Sequence, residues 1–356
     1  MTQVLRVGII GASAERGWAK DSHVPAVQKL AGLELAAVAS GDQAKSEAAA
    51  QAFGAKKAYG DAKKLAQDPE IDLITVAVKV PDHRELLLTA LAAGKHVYCE
   101  WPLGRNLAEA KELSAAAEKA GVHVAIGLQT RRNPAAVRAR ELITSGTIGR
   151  PLYARLYSGT VAFSPEITAA DVYLENAENG ATLVSIHGGH AIDLAVALLG
   201  PLRDFSTLAT TQYPEIQIRD TGKKQARSIP DHLLVQGLVE KGAALSVEVA
   251  GGRPPKETPF RLEVTGENGN LALDGGAPRG FQSGRLRLMR GDKQLPVDEG
   301  ETAGMPDTAA NVAMTYAALR DDIRQGIWTV ADFQHAVQLT QLCDDLLSSS
   351  QSGKRF

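Results

Sequence analysis

The sequence predicts an α/β protein in two parts. The N-terminal part is a doubly wound parallel sheet, and the C-terminal part is an α+β domain with an open, largely antiparallel sheet. Three observations carry this expectation. Over residues 1–125, short continuous apolar runs alternate with Ala-rich stretches of helical spacing, so both faces of the first sheet are covered. Beyond residue 128 the apolar spacing turns partly to period two, the mark of a sheet with one covered face. A length of 356 residues favours two domains over one. We place them at residues 1–127 and 128–356.

Five runs read as buried strands, at residues 5–10, 33–39, 73–78, 96–99 and 122–126. Helical stretches at 42–53, 84–93 and 107–120 lie between them and stop at Gly54, Gly94 and Gly121. In the second part, residues 151–163, 231–240, 243–250 and 260–265 show strand propensity. Leu245, Val247 and Val249 alternate there with Ser246, Glu248 and Ala250. Residues 251–255 and 275–284, rich in Gly and Pro, read as loops. Helices at about 308–325 and 331–348 follow.

The charge balance, 39 Lys and Arg against 41 Asp and Glu, gives −2 and a pI near 6.5. It offers no electrostatic support for a nucleic-acid partner or an anionic membrane. Aromatic content of 5% is too low for a base-stacking platform. Two cysteines, Cys99 and Cys343, are too few and too far apart for a metal cluster or a disulfide framework, and are expected reduced and buried. The first residues lack the long apolar region of a signal peptide, and no run approaches a membrane span. A cytoplasmic protein is the expectation.

After the first strand the chain reads Gly11-Ala12-Ser13-Ala14-Glu15-Arg16-Gly17-Trp18 and opens the first helix. In the Rossmann dinucleotide fingerprint the first glycine makes the tight turn, the second lets backbone approach the pyrophosphate, and the third permits helix–strand contact. The three positions are here Gly11, Ser13 and Arg16, with Gly17 one residue late. The second strand ends at Ser40, followed by Gly41 and Asp42, without the usual terminal acid. Lys45 can then pair with a ribose 2′-phosphate, whereas Asp42 can accept from a ribose hydroxyl, so NAD and NADP both stay open.

Gly94-Lys95-His96-Val97-Tyr98-Cys99-Glu100-Trp101-Pro102-Leu103 resembles the "GKHVxxEKP" signature of the Gfo/Idh/MocA oxidoreductase family, named for glucose–fructose oxidoreductase and inositol dehydrogenase. Gly189-His190-Ala191-Ile192-Asp193 with Leu199-Gly200 resembles its "GxHxxD…LxG" helix, and Ala331-Asp332-Phe333 its C-terminal element. A narrower resemblance is to the subgroup containing the fungal galactose/lactose-pathway repressor. It rests on Gly17-Trp18-Ala19, Glu100-Trp101, Gly127-Leu128-Gln129 with Arg131, residues 229–234, and Gly251-Gly252-Arg253-Pro254. The resemblance implies a nicotinamide cofactor, a carbohydrate-like substrate and a homodimer, or dimer-based oligomer, formed through the open sheet.

Family dehydrogenases use the lysine of the EKP signature and an Asp and His on the later helix. Mapped onto this chain, the His is His190, the lysine position is Trp101, and the Asp position is Ile186. One of three chemical groups survives. Trp101 is expected as a stacking platform for sugar or nicotinamide, with Glu100 and Pro102 beside it and Gln129 also near the cofactor. Val78 ends the 73–78 run and Lys79 and His83 follow it, a stretch that lies near the nicotinamide in the family. Lys79 is the candidate to take over part of the lost lysine's role. His187, His190 and Asp193 recur at i, i+3 and i+6 along one helix face and, with Arg131 and Tyr173, form the candidate substrate contacts. No third His or Cys is near enough in sequence to suggest a metal. Hydride transfer to or from a sugar, sugar derivative or polyol is the expected activity. A non-catalytic dinucleotide-binding regulator, or NAD-assisted elimination or glycoside cleavage, are the alternatives.

Overall fold

The computed structural model describes residues 4–356. Strands β1 (Leu5–Ile10), β2 (Leu33–Ala39), β3 (Lys57–Tyr59), β4 (Leu73–Val76), β5 (His96–Cys99) and β6 (Val124–Ile126) form one parallel sheet in the order β3-β2-β1-β4-β5-β6. Helices α1 (Val24–Lys29), α2 (Gln43–Phe53), α3 (Ala62–Gln67), α4 (His83–Ala92) and α5 (Leu107–Ala120) connect them. The strand order reverses between β1 and β4, which opens a crevice at the carboxyl ends of those strands. Strand β3 escapes the sequence pattern because it is a three-residue edge strand with no fully buried side chain. The first helix is divided: a π-turn, Ala19–His23, runs into α1, where Pro25 sits in the first turn and its missing amide is no loss. The 73–78 run stops pairing at Val76, and a 3-10 turn, Val80–Asp82, follows.

The middle of the chain contributes α6 (Pro134–Thr144), β7 (Pro151–Gly159), β8 (Glu166–Ile167), α7 (Gly189–Leu199), β9 (Leu202–Thr210), β10 (Glu215–Ile218), β11 (Lys224–Ala226), β12 (His232–Val239), β13 (Ala244–Ala250), β14 (Phe260–Gly266), β15 (Gly269–Gly275), β16 (Arg287–Arg290) and β17 (Lys293–Leu295). Eight of these strands form a sheet in the order β17-β16-β15-β14-β7-β13-β12-β9, antiparallel throughout except where β7 runs beside β13. The sheet is therefore mixed but largely antiparallel. Strands β8, β10 and β11 make a small separate sheet. The alternation read at 245–250 holds: Leu245, Val247 and Val249 are buried, and helices α6 and α7 pack on the sheet. The other face leaves Tyr153, Leu208, Leu234 and Leu238 exposed.

Two helices follow, α8 (Asp307–Gln325) and α9 (Phe333–Ser352). By contact, residues up to Gln129 form one compact unit with Gly300–Gln338, and Thr130–Glu299 form the other with Leu339–Phe356. This departs from the expected division at 127/128, which put both C-terminal helices in the second part. Met305, Val312, Ala313, Tyr316 and Leu319 join Val7, Ile9, Val27 and Tyr98 in one buried cluster. Helical spacing shows that α8 has an apolar face, but not which body that face covers.

Candidate cofactor and substrate sites

In the first unit the turn after β1 is closed by backbone. The amides of Gly11 and Ala12 donate to the Ala39 carbonyl at 2.9 and 3.2 Å. Gly11 has φ +98°, and a Cβ there would lie 2.3 Å from the Ala77 oxygen, so only glycine fits. Gly17, at φ +117°, has open space around it, so backbone conformation alone asks for glycine. Lys20, which sequence reasoning passed over, donates to the carbonyls of Ala14 (2.8 Å) and Glu15 (3.0 Å) and ties the loop to the first helical turn. Ser13 accepts from the Glu15 amide at 3.3 Å. Trp18 Nε1 is a buried donor with no acceptor among the described residues. A glycine cradle at the switch point, with a helical turn following, fits a dinucleotide.

At the end of β2, the Ser40 amide donates to Ser46 Oγ at 2.8 Å. Asp42 caps α2: one oxygen accepts from the Lys45 amide and the other pairs with Lys45 Nζ, each at 2.8 Å. The two residues read as alternative ribose or phosphate contacts are thus paired with each other. Their mutual hydrogen bond lowers the Asp42 pKa and raises that of Lys45.

Past β4, Val78 is half-buried and Lys79 is exposed at the start of the 3-10 turn Val80–Asp82. His83 is buried, with Nε2 3.2 Å from the Val78 oxygen and Nδ1 3.3 Å from the Leu103 oxygen. It joins the segments after β4 and β5, and burial holds its pKa below the usual value. Trp101 is buried, the Trp101–Pro102 bond is cis, and Gln129 is buried at the unit's edge in sequence. Glu100 Oε1 lies 2.9 Å from His23 Nε2. His23 Nδ1 lies 2.9 Å from the Tyr316 hydroxyl, itself 2.6 Å from Thr75 Oγ1. His23, Tyr316 and Thr75 were missed, because nothing in their sequence spacing links residues so far apart.

In the second unit Arg131 Nη1 lies 2.6 Å from Asp193 Oδ1, which brings two sequence candidates together. His187 ends up in a π-turn, Val184–Gly188, that runs into α7, where His190 is also buried. Burial, with the positive field of His190 second, lowers the His187 pKa to about 3, so its ring is neutral. Its Nδ1 is buried without a hydrogen-bond partner among the described residues, and Phe163 packs edge-on against the ring. Tyr173 is half-buried in the 3-10 segment Ala169–Glu175, and burial raises its phenol pKa. The far end of that segment is clamped by Arg227. Its guanidinium binds both oxygens of Glu175 (2.8 and 2.7 Å), Asp231, and the carbonyls of Phe163 and Ser164. Ile186, at the family's Asp position, supplies no ionisable group.

Among the described residues no group of three or more His, Cys, Asp or Glu is disposed to hold a metal. Cys99 and Cys343 are buried free thiols. No helix among these residues is long and apolar enough to cross a membrane.

Residues 5–128 match an oxidoreductase family with an NAD-binding Rossmann fold, and residues 134–275 match the C-terminal domain of Gal80p. The chain is 32% identical over 369 positions to the dehydrogenase aclE of Aspergillus oryzae, covering 99% of this chain and 98% of that one. It is 27% identical to the galactose/lactose metabolism regulatory protein GAL80 of Saccharomyces cerevisiae, over 92% of this chain and 82% of that one. A levoglucosan dehydrogenase in complex with NADH and L-sorbose superimposes with a TM-score of 0.84 at 21% identity, covering 99% and 98% of the two chains.

Proposed function

The chain belongs to the Gfo/Idh/MocA oxidoreductase family, and from that premise we propose that it transfers a hydride between NAD or NADP and a sugar, sugar derivative or polyol. The observation that carries the proposal is the turn at Gly11, closed against Ala77 at the switch point of a six-stranded parallel sheet. Gly11, Ala12, Ser13, Gly17 and Trp18 would hold the pyrophosphate side. Ser40 and Lys45 would lie toward the adenosine ribose, and Val78, Lys79, His83, Glu100, Pro102 and Gln129 toward the nicotinamide. The bound cofactor supplies or accepts the hydride.

The protein's own part is placement and proton handling. His190 takes the proton from the reacting hydroxyl, or returns it to the carbonyl. His187, kept neutral, lines the substrate side one turn before His190. The Arg131–Asp193 pair fixes the entry to α7, and Tyr173 closes on the substrate from its clamped segment. Trp101 gives an indole face to a sugar or to the nicotinamide. Lys79 takes over part of the missing lysine's charge stabilisation. The open sheet face takes a second copy of the chain. On it Arg155, Leu208, Leu234 and Glu263 line a groove of about 620 Å³.

A second reading is favoured by the loss of the lysine and the Asp at Trp101 and Ile186, and by the match of residues 134–275 to the Gal80p domain. It is a regulator that binds the dinucleotide without turnover. Screening the purified protein against sugars and polyols with both cofactors, by nicotinamide absorbance, separates the two. Turnover that is lost in His190→Ala supports the enzyme. Tight dinucleotide binding with no turnover across the panel supports the regulator.

A further inference from the structure

A buried polar chain ends on Glu100, and its assigned role rests on the proposal that the first unit binds a nicotinamide dinucleotide. Thr75, Tyr316, His23 and Glu100 stand in line through contacts of 2.6, 2.9 and 2.9 Å. The His23 side chain is fully buried, whereas that of Glu100 is 15% exposed. The ring of Tyr98 packs against those of both His23 and Tyr316, with centroids 5.1 and 4.7 Å away. These rings are held by packing as well as by hydrogen bonds.

Proton positions follow from donor and acceptor chemistry. A carboxylate only accepts, so the hydrogen of His23 is on Nε2 and points at Glu100. The Tyr316 hydroxyl then donates to Nδ1. That phenol keeps its proton, since burial pushes its pKa up. The Thr75 hydroxyl in turn donates to the Tyr316 oxygen. Three hydrogen bonds run in one direction and polarise one another, and the carboxylate at their end gains the most.

Glu100 directly follows β5, and its amide donates to the carbonyl of Val76, the last residue of β4. In this strand order the adenosine half of a dinucleotide lies over β1, β2 and β3, and the other half over β4, β5 and β6. Glu100 is therefore on the nicotinamide side. We propose that the Thr75–Tyr316–His23 chain holds the Glu100 carboxylate toward the nicotinamide ring, so that the site prefers the oxidised, cationic dinucleotide to the reduced one. His23 and Tyr316 are positioning residues, and Glu100 is the group that meets the cofactor. A unit charge a few ångströms from a cation in a partly screened site gives an affinity ratio on the order of tenfold.

The test is calorimetric titration of the full chain, Glu100→Gln and Tyr316→Phe with the oxidised and reduced forms of NAD and NADP. The unaltered protein is expected to bind the oxidised form about tenfold more tightly than the reduced form. Glu100→Gln removes that ratio by weakening the oxidised form. Tyr316→Phe narrows it by roughly threefold and leaves the reduced form unchanged, whereas a merely structural role would weaken both alike. Equal affinities in the unaltered protein, or an unchanged ratio in Glu100→Gln, overturn the proposal. If Glu100→Gln does not fold, the ratio in Tyr316→Phe decides. Nitrogen-15 NMR of the ligand-free protein supplies an independent readout: a His23 ring protonated on Nδ1 rather than Nε2 defeats the relay even if dinucleotides bind. Failure of all four dinucleotides to bind, with the tautomer as assigned, defeats instead the cofactor reading, and the preference with it.

Discussion

Arg131 and Asp193 meet at 2.6 Å, with the carboxylate side chain only 3% exposed and the guanidinium 23% exposed. The asymmetry decides how each responds to change. Removing the arginine takes a cation from a carboxylate that water hardly reaches; neutralising the aspartate leaves a guanidinium that can turn outward. Arg131→Met is expected to destabilise by about 3 kcal/mol, and Asp193→Asn by about 1 kcal/mol. Urea unfolding of both variants checks the order, which matters more than either value.

The two glycines of the loop after β1 should differ sharply. Gly17→Ala meets open space and is expected to cost about 1 to 3 kcal/mol of backbone strain. Gly11→Ala adds a clash with the Ala77 carbonyl, which side-chain motion cannot relieve. It should abolish dinucleotide binding in calorimetry, while Gly17→Ala retains it with weakened affinity.

Arg227→Met leaves Glu175 and Asp231 as buried carboxylates without their cation, since all three side chains are at most 4% exposed. A loss of about 3 to 5 kcal/mol is expected. Because the clamp also holds the Phe163 and Ser164 carbonyls, limited proteolysis should cut the variant faster between residues 160 and 180 than elsewhere.

Stability should fall in acid through His187. Its pKa is about 3 when folded, against 6.5 for an unperturbed ring. Between those values the unfolded chain binds the proton and the folded chain does not, so stability rises with pH across that window and is fully present above it. His187→Gln, which cannot titrate, should flatten the acid side of a stability–pH curve from pH 6.5 downward. An unchanged slope would show that other groups set it.

On the open sheet face Leu208 is 54% exposed and Leu234 39% exposed, with Arg155 and Glu263 paired nearby. Leu208→Asp is expected to shift a dimer to monomer in sedimentation velocity and leave the melting temperature of the monomer unchanged. A native protein that sediments as a monomer removes this assignment.

The parallel sheet was legible because short continuous apolar runs alternating with helical stretches mark strands covered on both faces, and each of the five runs contains a strand, although the runs at 73–78 and 122–126 pair only over Leu73–Val76 and Val124–Ile126. The reading weakened where elements bury little: β3 is a short edge strand, and β10 and β11 are largely exposed. At the candidate sites, Gly11 stood out by type and place, and His187, His190 and Asp193 by helical spacing. Lys20, His23 and Tyr316 did not, since their partners are either carbonyl oxygens or residues far away in the chain, and Arg227 did not because Glu175, which it binds through both oxygens, is 52 residues away. Such contacts leave no periodic trace. Asp42 and Lys45 were read as rivals for one ribose, whereas three-residue spacing at a helix start also makes them partners.

The position of α8 bears on biosynthesis. A ribosome making this chain will have released Thr75 and His23 long before it reaches Tyr316, and the residues between 130 and 299 emerge in the meantime. The nascent first unit must wait, with the seat of Tyr316 vacant, while a second body forms. Folding of the first unit is therefore completed late in translation, and an expression fragment cut at residue 129 is expected to remain partly open and to recruit chaperones.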